Sequence, residues 1–155
     1  MTNLSRKARY ALKALYALAA DEARGPVLIA DLAEQEKIPR KFLEAILLEL
    51  RNAGILKSKK GKGGGYALAR AADQITIGQI IRVIDGPLAP IPCASERAFV
   101  RCEECTDEAT CGTRQVMKKV RDAIAAILDT TTLADVQTQM ARARHSAAAT
   151  VTYSI

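Results

Sequence analysis

Four cysteines are the residues of this chain whose type and spacing best suit chemistry. They are Cys93, Cys102, Cys105 and Cys111, separated by eight, two and five residues. Thiolates at such spacings can converge on one metal ion or cluster. In a reducing cytosol such a group indicates a metal, iron–sulfur or redox site more often than a disulfide framework.

The spacing also ranks the possible occupants of this site. Zinc prefers four thiolates in a tetrahedron and often uses two Cys-x-x-Cys pairs, whereas this chain has one such pair, Cys102 and Cys105. The pattern therefore favours an iron–sulfur cluster, either [2Fe-2S] or [4Fe-4S], and zinc is the second choice. Reduced thiols or a labile disulfide without metal are the third interpretation.

The remaining candidates for chemistry do not form a catalytic set. His145 is the single histidine and lies in the predicted C-terminal tail, so a nucleophile would lack a base. A glycine-rich loop that binds nucleotide should follow a strand and open a helix, but residues 61–65 lead into the strand-like run Tyr66-Ala67-Leu68. We therefore predict that the chain is not an enzyme.

Hydrophobic periodicity predicts a helix-turn-helix ahead of the cysteines. With 155 residues, 49% of them apolar, the chain can form one DNA-binding unit plus an accessory element. Apolar residues at helical spacing predict helices over 5–21, 27–36 and 39–52. The runs 55–57 and 66–68 are strand-like and flank a tip rich in lysine and glycine, which predicts a β-hairpin wing.

The third helix and the wing carry the candidate DNA contacts. A formal net charge of +6 favours a polyanionic partner, and glycines in a thin, lysine-bearing hairpin allow close approach to it. Glu44 could accept a hydrogen bond from cytosine, or be an ordinary surface carboxylate. A solvated charged hairpin and a protein-binding adaptor that does not use DNA are the alternatives. The candidate DNA-binding residues are Arg40, Lys41, Glu44, Lys59, Lys60, Lys62, Gly63 and Gly64.

The second half of the chain is predicted to be helical on both sides of the cysteines. A short helix over 77–83 precedes an aperiodic stretch, 88–110, and the apolar stripe of a long helix over 112–129 suggests packing across a dimer axis. A short capped helix over 131–136 and a frayed end beyond about residue 141 follow.

The predicted fold is thus mainly α, with a small β-hairpin wing and a long dimerisation helix. We divide it into a winged helix-turn-helix (1–86), a cysteine-rich sensor loop (87–111), the dimerisation helix with a short C-terminal helix (112–140) and a flexible tail (141–155). No run of eighteen apolar residues or leader pattern is present, so we expect a cytoplasmic protein without a membrane partner.

Taken together, the motifs resemble a bacterial winged-helix repressor family, the one that includes the iron–sulfur regulator IscR, the nitric-oxide sensor NsrR, the iron regulator RirA and the cysteine-metabolism regulator CymR. The resemblance covers most of residues 2–136. It is carried by Ser5-Arg6-Lys7-Ala8-Arg9-Tyr10-Ala11-Leu12, by Lys60-Gly61-Lys62-Gly63-Gly64-Gly65-Tyr66-Ala67-Leu68, by Thr76-Ile77-Gly78-Gln79-Ile80, and by a cysteine loop that runs into a long helix.

The resemblance implies a homodimeric regulator on double-stranded DNA with a palindromic operator. In its cluster-binding members three loop cysteines and one further residue hold the iron–sulfur cluster, and Cys93, Cys105 and Cys111 match those three cysteines. Arg114 stands where IscR has a histidine ligand, and the aspartate used by NsrR is replaced near Arg9.

These two replacements make Cys102 the predicted fourth ligand. The expected function is then repression that responds to redox, iron or iron–sulfur status, with the cluster shifting the loop and the long helix. A metal-free thiol switch or a zinc site without a signal is the alternative.

Overall fold

The computed structural model describes residues 4–152, with side chains for residues 4–147. The fold class predicted from the sequence, mainly α-helical with a two-stranded antiparallel hairpin, is confirmed. In chain order the elements are α1 (Arg6–Ala20), α2 (Ile29–Glu36), α3 (Arg40–Asn52), β1 (Leu56–Lys59), β2 (Gly65–Leu68), α4 (Ile77–Asp85), α5 (Gly112–Leu128) and α6 (Leu133–Thr152). Short 3-10 turns lie at Glu22–Arg24, Ala72–Gln74 and Pro92–Ala94.

The apolar stripes of α1, α3 and α4 form one core. Ser5 begins α1 as its N-cap, because its hydroxyl accepts a hydrogen bond from the Ala8 N–H at 2.9 Å. The stripe of α3 then faces the stripe of α1, and both are removed from water. The largest fully buried side chains of these helices are Leu15, Leu43, Ile46, Leu47, Leu50, Ile80 and Ile81.

The turn between α2 and α3 contains an unusual backbone conformation. Lys37 ends α2 with a φ of 53°, in the left-handed region that non-glycine residues seldom adopt. Ile38 follows and is buried against the core, and Pro39 is the N-cap of α3, which begins one residue later than predicted. The buried Ile38 therefore anchors the turn that sets the direction of α3.

The second helix begins two residues later than the sequence pattern predicts. Val27 pairs with Tyr66 instead: its N–H donates to the Tyr66 carbonyl at 2.9 Å and its carbonyl accepts from the Tyr66 N–H at 2.8 Å. This extended pairing excludes a helical conformation at Val27. It also joins the base of the wing to the segment that enters α2.

The C-terminal helix is much longer than the predicted short one. α6 begins at Leu133, which is completely buried and whose N–H donates to the Ile75 carbonyl at 2.9 Å. The Gln137 amide donates to the Tyr16 carbonyl at 2.6 Å and so fixes the second turn on α1. Alanines with high helix propensity extend the helix to Thr152, through most of the segment predicted to be frayed. Residues 153–155 of that segment lie outside the described residues.

The long helix α5 packs on the rest of the chain along only part of its surface. Ile124, Ala125 and Leu128 are partly buried against the core, but no residue of α5 is fully buried. Val116 and Ile127 remain 54% and 65% exposed. Among the described residues, no helix is both long and apolar enough to cross a membrane.

Candidate DNA interface and cysteine loop

The first turn of α3 presents charged side chains to solvent. Arg40 and Lys41 are exposed, and the Arg40 side chain retains 66% of its accessible surface. Glu44 lies one turn further along, with Oε1 3.1 Å from Arg40 Nε. The three predicted contact residues of α3 thus lie on its exposed side, and Glu44 is available to orient Arg40.

Two contacts, one near each end of α3, hold this helix on α1. The ring of Phe42 meets the ring of Tyr10 edge to face, with centroids 5.7 Å apart. Lys7 Nζ lies 2.6 Å from Glu49 Oε1, two turns further along α3. Neither contact is predictable from local patterns, because each joins residues that are far apart in the chain.

The wing follows α3 after a tight turn. The Ile55 N–H donates to the Leu50 carbonyl at 2.9 Å, and β1 then pairs with β2 in the register Leu56 to Leu68 through Lys59 to Gly65. The lysines of the tip, Lys59, Lys60 and Lys62, are all exposed. A basic hairpin therefore projects directly after the helix whose first turn is basic.

Glycines of the wing have structural roles inside the hairpin. A Cβ at Gly64 would lie 2.3 Å from the Lys59 carbonyl oxygen and 2.7 Å from that of Gly61. At Gly65, where φ is +139°, a Cβ would lie 2.2 Å from the Val27 carbonyl oxygen. The glycine-rich sequence is thus needed for close packing of backbone on backbone within the protein.

In the cysteine loop two of the four thiols are in contact. Cys93 is only 4% exposed, within the 3-10 turn Pro92–Ala94, whereas Cys102 lies on the surface. The Cys102 S–H donates to Cys93 Sγ across 3.5 Å. This hydrogen bond is the main reason that the pKa of Cys102 is raised, and loss of solvent and the nearby Cys93, Cys111 and Glu104 add to it.

The other two cysteines stand at turns of the loop. The Cys105 N–H donates to the Cys102 carbonyl at 3.2 Å, and Cys111 Sγ accepts from the Arg114 N–H at 3.5 Å as the N-cap of α5. Within the part of the chain that the structure describes, no three His, Cys, Asp or Glu side chains are grouped to hold a metal ion. The structure therefore brings together Cys93 and Cys102, and the complete set of four ligands stays a prediction.

Two arginines of α5 connect that helix to the Cys93 turn. Arg114 Nε donates to the Cys93 carbonyl at 2.9 Å, and its guanidinium carbon lies 5.7 Å from the centroid of the Phe99 ring. Arg121 Nη1 donates to the Ala94 carbonyl at 2.6 Å. From the sequence, Arg114 was predicted only to replace a ligand, and no role was predicted for Arg121. Their seven-residue separation, two helical turns, was the available sign of a shared face.

A further ion pair attaches α5 to α4. Arg82 binds both carboxylate oxygens of Asp129, with distances of 2.5 Å to Oδ1 and 2.8 Å to Oδ2. This guanidinium lowers the pKa of the Asp129 carboxyl, and the carboxylate in turn raises the pKa of Arg82. A Cβ at Gly78 would lie 2.1 Å from Asp129 Oδ1, so a side chain at this position would displace the carboxylate from its ion pair with Arg82.

A helix-turn-helix followed by a basic hairpin is the architecture of a winged-helix transcription regulator. The chain belongs to the Rrf2 family, whose model, described as an iron-dependent transcriptional regulator, matches residues 4–139. Its relatives are transcriptional regulators, so the prediction that it is not an enzyme is confirmed.

Similar sequences and solved structures support the same family assignment. A putative helix-turn-helix transcriptional regulator of Rhodobacter capsulatus is 43% identical over 136 residues, which cover 85% of this chain and 90% of that protein. The structure of CymR, the global cysteine regulator of B. subtilis, is 35% identical with a TM-score of 0.73, covering 90% of this chain and 98% of that one. IscR of T. potens is 32% identical with a TM-score of 0.70, covering 89% and 88%.

Proposed function

We propose that this chain is a homodimeric repressor that binds a palindromic operator through the first turn of α3 and the wing. The observation that carries this proposal is the exposed charge of Arg40 and Lys41 on a helix whose opposite side forms the core. The exposed wing lysines follow that helix directly in the fold. Side chains of α3 would contact base edges, and the wing would contact phosphates.

The phosphate contacts of the wing can be tested with a mixed-sequence DNA duplex. Each phosphate that a lysine neutralises contributes about −0.9 to the slope of log K against log salt. The triple variant Lys59→Ala, Lys60→Ala, Lys62→Ala should therefore bind more weakly and with a slope about 2 to 3 less steep. The matched control is Arg142→Ala, an exposed cation on α6. Equal slopes for all three proteins would contradict the proposal and favour the protein-binding adaptor.

Sequence recognition is tested by selecting sites from a random duplex library. A dimer with two recognition helices should enrich inverted repeats whose half-sites are about one helical turn, or a multiple of one, apart. Arg40→Ala and Glu44→Ala should relax the preference at particular base pairs of each half-site, by about 1–3 kcal/mol for each bidentate pairing with a base that the substitution removes. Enrichment of single, asymmetric sites would contradict the dimeric arrangement.

The second part of the proposal is that the cysteine loop senses redox, iron or iron–sulfur status. Four thiols within one loop form the donor set that an iron–sulfur cluster needs, and Cys93 and Cys102 already lie in contact. These residues fit the group in chemistry, with Cys93, Cys102, Cys105 and Cys111 as the ligands. A bound cluster would supply one-electron redox chemistry, tuned by hydrogen bonds to its sulfurs.

The residues around the loop are arranged to transmit its state to α5. Arg114 holds the carbonyl of Cys93, and Cys111 is itself the N-cap of α5. A movement of either cysteine therefore changes a contact of the helix that carries the proposed dimer surface. In this way the state of the loop would alter the spacing of the two recognition helices.

The sensing proposal is tested by anaerobic purification followed by iron and sulfide assays and a visible spectrum. We expect stoichiometric iron and sulfide in the wild-type chain and loss of both in each of the four single Cys→Ala variants. Colourless, iron-free protein after anaerobic reconstitution would contradict the cluster. Bound zinc would then support a structural metal site, and its absence a metal-free thiol switch.

A further inference from the structure

The contact between Cys93 and Cys102 allows chemistry that needs no metal. Their sulfurs are 3.5 Å apart, whereas a disulfide requires about 2.0 Å. Closing this gap requires an approach of about 1.5 Å, which rotation of an exposed cysteine side chain in a loop can supply. Of the four cysteine side chains, all of which the structure describes, Cys93 and Cys102 form the pair that is hydrogen-bonded thiol to thiol.

The two thiols differ in their access to solvent. Cys102 is exposed, so a small oxidant can reach it, whereas Cys93 is 4% exposed and is held by the Arg114 hydrogen bond to its carbonyl. The raised pKa of Cys102 slows its attack, but its exposure lets an oxidant reach it before Cys93, and Cys93 lies beside it as the second thiol. Because of this difference in access, Cys102 reacts first, with the oxidant, and Cys93 reacts second, with the oxidised Cys102.

We propose that, in the cluster-free chain, Cys93 and Cys102 form a reversible intramolecular disulfide with a low-molecular-weight disulfide such as oxidised glutathione as the oxidant. The Cys102 thiolate attacks one sulfur of the oxidant, forms a mixed disulfide and releases one glutathione thiolate. The Cys93 thiolate then attacks Cys102 Sγ, closes the protein disulfide and releases the second glutathione. Two protein thiols are oxidised, one oxidant disulfide is reduced, and the two thiol protons leave on the two glutathiones.

The disulfide would make the loop respond to two inputs, and this consequence rests on the proposed cluster. Both sulfurs of the disulfide belong to the proposed ligand set, so the disulfide and the four-cysteine cluster exclude each other. Oxidised apoprotein should therefore take up no iron–sulfur cluster until dithiothreitol reduces it.

The test exposes metal-free full-length chain to glutathione buffers of defined oxidised-to-reduced ratio, followed by acid quench, mass spectrometry and peptide mapping. Wild-type protein should lose two hydrogens, link the Cys93 peptide to the Cys102 peptide, and recover with dithiothreitol. Cys93→Ser should stop at the first step, with on the order of tenfold more glutathione on Cys102 than the wild type. Cys102→Ser should leave the buried Cys93 unmodified. Ser146→Ala, an exposed substitution far from the loop, is the control and should form the disulfide as the wild type does.

Several results would overturn the inference. One is a wild-type chain that keeps glutathione on Cys102 as fully as Cys93→Ser does. Another is a disulfide that maps to Cys105 or Cys111. Circular dichroism of each variant establishes that it is folded, and Cys102→Ser, altered at an exposed position, tests the pair even if Cys93→Ser unfolds. A disulfide without any reconstituted cluster would refute the proposed cluster alone, and a cluster without the disulfide would refute this inference alone.

Discussion

At the level of single residues, backbone space explains the composition of the wing. Gly64 is buried and has room for a hydrogen but not for a methyl group, because two carbonyl oxygens lie within 2.7 Å of the position of its absent Cβ. The lysines beside it are exposed and have no such constraint. A sequence rich in both glycine and lysine therefore combines a structural requirement with an electrostatic one.

This distinction predicts the effect of Gly64→Ala. The added Cβ would lie 2.3 Å from the Lys59 carbonyl oxygen, so the hairpin must shift, at a cost of about 1–3 kcal/mol. Thermal unfolding should show the loss of stability, and DNA affinity should fall although no charge has changed. Gly112→Ala is the control, since its Cβ would meet no atom within 4 Å. Unchanged stability and affinity in Gly64→Ala would contradict the crowding.

At the level of elements, α5 and α6 differ in how they are attached. α6 begins with a fully buried leucine, whereas α5 is attached through polar contacts at Arg82, Arg114 and Arg121 and through a partly buried apolar edge. Apolar burial fixes the first turn of α6 on the core. The attachment of α5 depends on ion pairs and is therefore sensitive to pH and salt.

The ion pair between α4 and α5 gives stability a defined pH dependence. Arg82 lowers the pKa of Asp129 in the folded chain, so the pair stabilises the fold above the ordinary pKa of the carboxyl, about 3.9. Its contribution is lost as the pH falls through the lowered folded value. Because both side chains are partly exposed, Asp129→Asn should cost only about 1 kcal/mol at neutral pH.

Urea unfolding at a series of pH values measures this contribution. The difference between wild type and Asp129→Asn should shrink on acidification below about pH 4. Asp73→Asn, an exposed carboxylate in the turn Ala72–Gln74, is the control. A difference that does not change with pH would show that the carboxylate charge is not the source of stability.

The attachment of α6 predicts opposite results for its two ends. Leu133→Ala removes a fully buried side chain and should lower the free energy of unfolding by about 2–5 kcal/mol. Deleting residues after Ala141 should cost less than about 0.5 kcal/mol, because the side chains of residues 141–147 are exposed. Denaturant unfolding compares the two, and a costly deletion would show that the outer half of α6 stabilises the fold.

At the level of the whole molecule, an apolar stripe on α5 remains without a partner in one chain. Val116, Val120 and Ile127 are exposed on a helix that otherwise packs on the core through Ile124 and Leu128. An apolar face of this kind on a transcription regulator favours a second copy of the chain as its partner. The proposed dimer would then place two recognition helices on one DNA duplex.

Replacing these three exposed residues with serine should therefore produce a monomer with intact helices. Size-exclusion chromatography with light scattering should give half the mass of the wild type, and affinity for selected palindromic sites should fall. Changing Gln139 and Arg142 on the exposed side of α6 to serine is the control. A wild-type chain that is already monomeric, or a triple variant that stays dimeric, would contradict this surface.

The sequence by itself determined the order and type of the elements, the wing and the cysteine spacing. Periodicity works for these features because a stripe repeats within one or two turns and depends on near neighbours. It placed Arg40, Lys41 and the wing lysines correctly on exposed surface. It failed at Val27, where pairing with a distant strand decides the conformation, and in the length of α6, where it underestimated the helix propensity of the alanine-rich end.

Only the tertiary structure decided which cysteines meet. The loop has no periodic pattern, so nothing local distinguishes Cys102 from Cys105 as the neighbour of Cys93. α5 fixes the Cys93 side of this contact, because its Arg114 and Arg121 hold the carbonyls of Cys93 and Ala94 in place. These contacts span 21 and 27 residues, and a hydrogen bond across such a distance is set by the packing of whole elements.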